Sequence, residues 1–436
     1  MAEPTPTAAP SPAARPPLLS LDEALARLLE GAAAHRIGQT ETVGSFDALG
    51  RVLAADVISL LDVPPADNTS MDGYALRAAD VPVAGTVLQV AQRIPAGHVG
   101  APLASGGAAR IFTGAQLPPL ADAVVMQEQC DAITDPTGAG LGRVRVNIVP
   151  EAGQWVRRRG EDVQRGTVVL AAGTRMTPQA LGMAASVGAA TLQVWRRPRV
   201  AVFSTGDELV MPGEALPPGA IYNSNRFTLR GLLQAAGCEA IDLGIVPDRL
   251  DATRDALRRA ATEADLILSS GGVSVGEEDH LRPGVQAEGE LTLWQIAMKP
   301  GKPLAFGRVR RGDGGAGTAG GSHAIFMGLP GNPVSSFVTF LVAVAPVLRA
   351  IQGMPNPAPR AYALRADFDW PRPDRRREFL RVRLNDHGGL DLYPNQSSGV
   401  LTSTVWADGL VDLPAGQPVA AGDAVRFLPL HELIGR

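Results

Sequence analysis

The sequence predicts a multidomain α/β plus β protein built around a central sheet of parallel strands. Three observations predict it. Between residues 199 and 353, five apolar runs each end in a polar turn rich in Gly or Pro. Helical patterns separate the early runs, which implies right-handed crossovers in a parallel sheet. On either side of this stretch the pattern changes to short β runs punctuated by Pro and Gly.

The central runs are 200–204, 241–246, 266–269, 293–298 and 324–327. They lead in turn into Thr205-Gly-Asp-Glu208, Pro247-Asp248, a Ser/Gly-rich stretch at 270–276 followed by Glu277-Glu-Asp279, Lys299-Pro-Gly-Lys302-Pro303, and Gly328-Leu-Pro-Gly-Asn-Pro333. Helical spacing appears at 225–236 through Phe227, Leu229, Leu232 and Leu233, and at 251–263 through Ala252, Leu257 and Ala260. Ligands of such sheets bind at the carboxyl ends of the strands, and the reactive-looking residues fall there, turn after turn.

Ahead of this unit, residues 1–17 are rich in Pro and Ala and read as a disordered tail, without the basic and apolar regions of a signal peptide. Ser20 and Glu23 form an S-x-x-E capping box before Ala24, Leu25, Leu28 and Leu29, so a helix starts there and ends near Gly31 or His35. Asp72-Gly73 marks a tight bend. Residues 86–149 read as a small β domain. Thr177 caps a short helix over 179–187, with Pro178 at its first position. After a linker at 356–359, the remainder reads as a C-terminal β-barrel or sandwich. The glycines of 311–321 look like a hairpin tip, since no helix follows them as in a phosphate loop.

The totals exclude several functions. Net charge is −4 with a pI near 5.9, so nucleic acid is not a bulk electrostatic partner. Cys130 and Cys238 form no CxxC and read as small core residues of a reducing compartment, the cytoplasm. The most apolar piece, 337–348, is short for a membrane span and contains Pro346. Among six histidines no metal-type cluster appears, nor a Ser–His–Asp triad.

At the strand ends, Gly271 and Gly272 let backbone N–H groups approach an anion. Asn332 and Pro333 open a helix over 334–352 whose N-terminus, with Ser335 and Ser336, suits an anion. Lys299 and Lys302, three apart across Pro300-Gly301, suit a dianionic oxyanion or a phosphate; an exposed turn is the competing reading. Glu208, Asp248 and Asp279 end three different strands, and convergence of carboxylates on lysines and an anion loop is explained by a hard cation such as Mg²⁺.

Seven strings carry a resemblance: NTSMDGYA at 68–75, IFTGA at 111–115, RRRGED at 157–162, STGDE at 204–208, SGGVSVG at 270–276, MKPGKP at 298–303 and GLPGNPVS at 328–335. In these the chain closely resembles the MoeA family, the molybdopterin molybdotransferases, which are related to the C-terminal region of gephyrin. The motifs occur in family order from about Ser20 to Leu430. The resemblance implies a Mg²⁺-dependent reaction in molybdenum cofactor biosynthesis, in which adenylylated molybdopterin and molybdate give the cofactor with release of AMP. It implies an elongated homodimer and a molybdopterin adenylyltransferase as upstream partner. It also implies a discontinuous helical first domain (18–45 with 151–198), a β domain inserted at 46–150, a molybdopterin-binding domain at 199–353 and a β-barrel at 356–436.

By the same resemblance, Lys299 and Lys302 hold the oxyanion or phosphate. Asp248 and Asp279 place Mg²⁺ on the pyrophosphate bridge, and Glu208 orients water, metal or pterin. Thr205, Gly271, Gly272, Ser274, Gly276 and Ser335 line the pterin-phosphate pocket, with Pro330 and Pro333 shaping its wall. Asp72, Thr113 and Asp162 match functionally sensitive positions, the first two reaching the cleft from a partner subunit. Arg381 and Ser398 resemble an oxyanion-contacting pair. Glu277 stands where the family commonly has Asp. The competing readings are an adenylyltransferase of the same fold and a non-catalytic scaffold.

Overall fold

The computed structural model describes residues 18–138, 140–273, 280–312, 322–355 and 358–435. The expected tail and most of the Gly-rich tip lie outside them, as do Ser274, Gly276, Glu277 and Asp279.

The first helix, α1 (Leu21–Ala33), carries the expected capping box: the Ser20 hydroxyl accepts from Glu23 N–H, and the Glu23 carboxylate accepts from Ser20 N–H. Such a cap contributes about 1 kcal/mol. Its buried stripe, Leu21, Ala24, Leu28 and Ala32, packs against the central unit rather than against residues 151–198. Burying its two leucines contributes about 3–6 kcal/mol. Thr40–Gly44 pairs antiparallel with Thr191–Trp195, and Val57–Ile58 with Val168–Leu170. The next helix, α2 (Pro178–Ser186), has Thr177 as its cap and packs beside these ribbons. Between them, residues 73–146 form a six-stranded sheet.

The link to the central unit is anchored, not loose. The Arg196 guanidinium donates two hydrogen bonds of 3.0 Å to the buried Asp265 carboxylate, which also accepts from Arg199 N–H at 2.8 Å.

The central sheet has six strands: β1 (Arg199–Thr205), β2 (Glu239–Val246), β3 (Leu266–Ser270), β4 (Gly289–Gln295), β5 (Pro303–Arg310) and β6 (His323–Leu329), in the order β2-β1-β3-β6-β5-β4. The first four in that order are mutually parallel. β5 runs antiparallel to both its neighbours, so the parallel core continues as a mixed sheet. Helices α3 (Ser224–Ala235), α4 (Leu250–Glu263) and α5 (Leu281–Glu288) connect the strands. The two-residue period of a strand sorts the faces. Val200 and Val202 pack with Leu229, Leu232 and Leu233 of α3; Ala201 and Phe203 pack with Leu257, Ala260 and Ala261 of α4.

The fourth strand stops short of the expected residue 298. Ile296 N–H donates to the Lys302 carbonyl at 3.0 Å, pinching off a loop. Met298–Lys299 then leaves the sheet and pairs in parallel with Arg377–Glu378 of the C-terminal unit.

The last core helix starts as α6 (Pro333–Thr339), widens to a π turn at Phe340–Val344 and continues as α7 (Ala345–Ile351). The expected helix over 334–352 therefore runs on through Pro346. Its ring would meet the carbonyl four residues back, and the widened turn just before it makes room. The continuous helix, Pro333–Ile351, is long and apolar enough to cross a membrane by length and composition alone, yet almost all of it is buried inside the protein.

Of the two C-terminal alternatives, the structure has the barrel. Arg377–Leu384, Gly389–Leu392, Tyr362–Ala366, Ala424–Pro429 and Gly409–Leu413 pair in turn, and the last returns to the first.

Candidate active site

A cavity of about 870 Å³ opens where the carboxyl ends of the parallel strands meet the barrel. In-register pairs bring the strand ends to one level: Thr205 with Val246, Ser204 with Ser270, Ser270 with Leu329. Thr205, Glu208, Asp248, Gly271, Gly272, Lys299, Lys302, Pro330, Pro333, Ser335 and Ser398 all line it. These residues come from five strand ends and one barrel loop, so the sheet gathers what the sequence spreads over almost 200 positions.

Local geometry holds the pieces. Gly271 has φ +91°, and a Cβ there would lie 2.6 Å from the Thr205 carbonyl, so a side chain is excluded on both counts. Its N–H donates to Leu329 carbonyl at 3.1 Å. The Thr205 hydroxyl is buried at the cavity without a hydrogen-bond partner among the described residues. Asn225 donates to the Ser270 hydroxyl and to the Gly331 carbonyl, both at 2.8 Å, and so ties α3 to the two Gly-rich turns. Asn332 caps the last core helix by its backbone conformation alone; its side chain makes no capping bond.

The two lysines differ in their surroundings. Lys299 Nζ lies 3.0 Å from a Glu378 carboxylate oxygen and 3.6 Å from Asp374. Lys302 makes no ion pair among the described residues. Arg376, which also lines the cavity, is held by Asp374 through hydrogen bonds of 2.9 Å. That guanidinium, first among several causes, holds the Asp374 carboxyl well below the usual range.

The chain is similar throughout to known proteins. Residues 19–188 match the MoeA N-terminal region (domain I and II), 201–350 a probable molybdopterin binding domain, and 363–430 the MoeA C-terminal region (domain IV). A molybdopterin molybdenumtransferase of Haemophilus influenzae is 36% identical over 96% of this chain and 100% of its own length. The chain belongs to the MoeA family. Molybdopterin molybdenumtransferase 2 of Mycobacterium tuberculosis is 38% identical over 89% of this chain and 95% of its own. A solved molybdopterin biosynthesis MoeA protein from Pyrococcus horikoshii shares the fold with a TM-score of 0.78 and 28% identity, over 95% of this chain and 100% of that one.

Asp72, Thr113 and Asp162 lie outside the lining of this chain's own cavity. Asp72 and Thr113 sit on the inserted sheet, away from the cavity, where Asp72 accepts from both the N–H and the hydroxyl of Thr113 at 2.7 Å. These bonds, the backbone one foremost, lower the Asp72 pKa. Asp162 lies in the turn beyond them, its N–H donating to the Val63 carbonyl. Arg381 is a correction. It is fully buried and does not line the cavity; its guanidinium donates to the Phe379 and Ser397 carbonyls and the Ser403 hydroxyl. Burial pulls its pKa down to about 10. Its bond to the Ser397 carbonyl supports the loop that carries Ser398.

Sequence reasoning missed Arg376, Asn225, Tyr222 and Gln396, which line the cavity or brace it. Arg376 sits in the run Arg375-Arg-Arg377, which reads as a solvated charge cluster. Only its ion pair with Asp374 and the parallel pairing of Arg377–Glu378 aim this segment inward.

Proposed function

We propose that this MoeA-family transferase converts adenylylated molybdopterin and molybdate to molybdenum cofactor with release of AMP. The observation that carries the reading is the shared cavity: Glu208 and Asp248 at adjacent strand ends, with Lys299 and Lys302 on a loop bound to the barrel.

The lysines supply compact point charges for a phosphate or for molybdate, two anions that the substrate pair brings together. The turn at Gly271 and Gly272 leaves room for a phosphate against backbone. Ser335 and Ser398 offer hydroxyls to oxyanion oxygens. The donors fit a hard cation: two carboxylates, Glu208 and Asp248, line a cavity that also holds the Thr205 hydroxyl, which has no hydrogen-bond partner among the described residues. Asp248, together with Asp279, would hold Mg²⁺, which when bound polarises the phosphoanhydride bridge.

By the family resemblance, a second copy of the chain would bring Asp72 and Thr113 to the cleft, neither of which lines the cavity of its own chain. AMP release with Mg²⁺, with and without molybdate, tests the reading on the intact protein and on Asp279→Asn and Asp248→Asn. Molybdate-dependent release that falls at least about 100-fold in the variants is expected, the size of effect set by losing a metal or oxyanion contact. No release from an intact, folded protein sinks the assignment.

A further inference from the structure

The chain carries 40 Lys and Arg residues, and only two of them are lysines, Lys299 and Lys302. Everywhere else the positive charge is arginine. Both lysines line one cavity, yet their environments are opposite.

Lys299 is held from behind. Glu378, which is 1% exposed, places Oε1 3.0 Å from Lys299 Nζ, off hydrogen-bond geometry and so an ion-pair contact. Its other oxygen accepts from Trp370 Nε1 at 3.0 Å and from Asp374 N–H at 2.7 Å. The carboxylate is therefore fixed on one side by neutral donors and turned toward the lysine on the other. Backbone pairing adds to this: Lys299 and Glu378 are register partners across the two units. Asp374, also 3.6 Å from Lys299, is matched by Arg376. The cavity-lining Lys299 and Arg376 are thus matched from behind by Asp374 and Glu378, two cations with two carboxylates. Lys302 alone of the cavity's cations has no carboxylate partner among the described residues.

We propose that Glu378 is a positioning residue that makes the two lysines unequal: it holds Lys299 as an internal ion pair, and leaves Lys302 as the cation that first receives the incoming oxyanion. This rests on the proposed function for the identity of the anion. Lys299 reaches a bound dianion only in competition with Glu378, and Glu378 repels that dianion through the short gap between them. A fixed ammonium loses affinity for substrate and gains a defined position for the reacting group.

The charge-removing variant Glu378→Gln keeps the acceptor for Trp370 and Asp374 while abolishing the competitor. It is expected to bind molybdate at least threefold more tightly by calorimetry, while turnover in molybdate-dependent AMP release drops about tenfold. A residue of purely structural value would instead weaken both and lower the melting temperature. Glu378→Asp retains the charge on a shorter arm: molybdate affinity should stay within twofold of the wild type, with turnover reduced. The unusual lysine content supplies a readout free of catalysis. Protein labelled with ¹³C at the lysine ε-carbon gives two side-chain signals, assigned with Lys302→Arg. Molybdate should move the Lys302 signal at lower concentration than the Lys299 signal, and Glu378→Gln should make the two respond together. Unchanged or weaker molybdate binding in folded Glu378→Gln, or equal response of both lysines in the wild type, overturns the proposal. Absence of AMP release from the wild type overturns the assigned reaction and leaves the molybdate titration to decide the role of Glu378.

Discussion

The bond between Asp72 and Thr113 shows how much one side chain can be asked to explain. Thr113 gives Asp72 two hydrogen bonds, one from backbone and one from hydroxyl, and both favour the ionised carboxylate. The folded pKa lies below the unfolded one, so this bonding supports the fold above the unfolded value of about 3.9 and stops doing so as pH falls through the lowered folded value. Thr113→Val removes only the hydroxyl. The Asp72 pKa should rise part of the way to its ordinary value, because the larger backbone contribution stays; a carboxyl-detected NMR titration measures it. At this scale the sequence was informative where residue type alone implies chemistry. Lysines, carboxylates and glycines at strand ends were all legible. Arg376, Glu378 and Trp370 were not, because their roles depend on pairing across some 80 positions with Lys299. Arg381 was misjudged for the same reason: nothing in its neighbours' identities says that its guanidinium turns into the barrel.

Elements were legible in proportion to how local their causes are. The caps of α1 and α2 come from residues within one helical turn, and both form as expected. The end of β4 has a distant cause, the barrel strand that draws Met298–Lys299 out of the sheet. The π turn ahead of Pro346 likewise answers a packing demand, a helix buried on all sides that must continue past a proline. The lysine loop turns on a constrained glycine. Gly301 has φ +106°, and a Cβ there would strike the Thr339 side chain of the core helix. Gly301→Ala should leave the sheet and barrel folded, by circular dichroism, while raising KM for molybdate about tenfold or more as the turn shifts both lysines; this is a loss of ~1.4 kcal/mol in oxyanion binding.

At the scale of the molecule, one chain supplies a cavity but not all of the residues that the family resemblance joins to it. Asp72 lies on the inserted sheet and Lys302 on the central unit. If a second copy completes each cleft, then Asp72→Asn and Lys302→Met, each inactive alone, should regain activity when mixed and allowed to exchange subunits. One cleft of each mixed dimer would hold both native residues, and random exchange makes about half the dimers mixed, which sets the ceiling at about a quarter of the wild-type rate for the mixture. Activity that stays at the level of the separate variants, with exchange shown by native mass spectrometry, argues against a shared cleft. The coarse plan of a sheet-centred unit with a barrel after it followed from hydrophobic period and turn chemistry. The packing of α1 on the central unit did not, since an apolar stripe states that a helix needs a partner without saying which.

The two-residue parallel pairing of Met298–Lys299 with Arg377–Glu378 also bears on how this protein could be recombined. The barrel is a closed, separable-looking module, and exchanging it between relatives would look harmless by fold. The exchange would nevertheless replace the counter-ion of a lysine that belongs to the other module. A chimaera should keep full turnover only when the donor barrel has a carboxylate at position 378, with an indole or equivalent donor behind it. The seam between the two modules therefore runs through the charge balance of the site, and inheritance of the parts is coupled there.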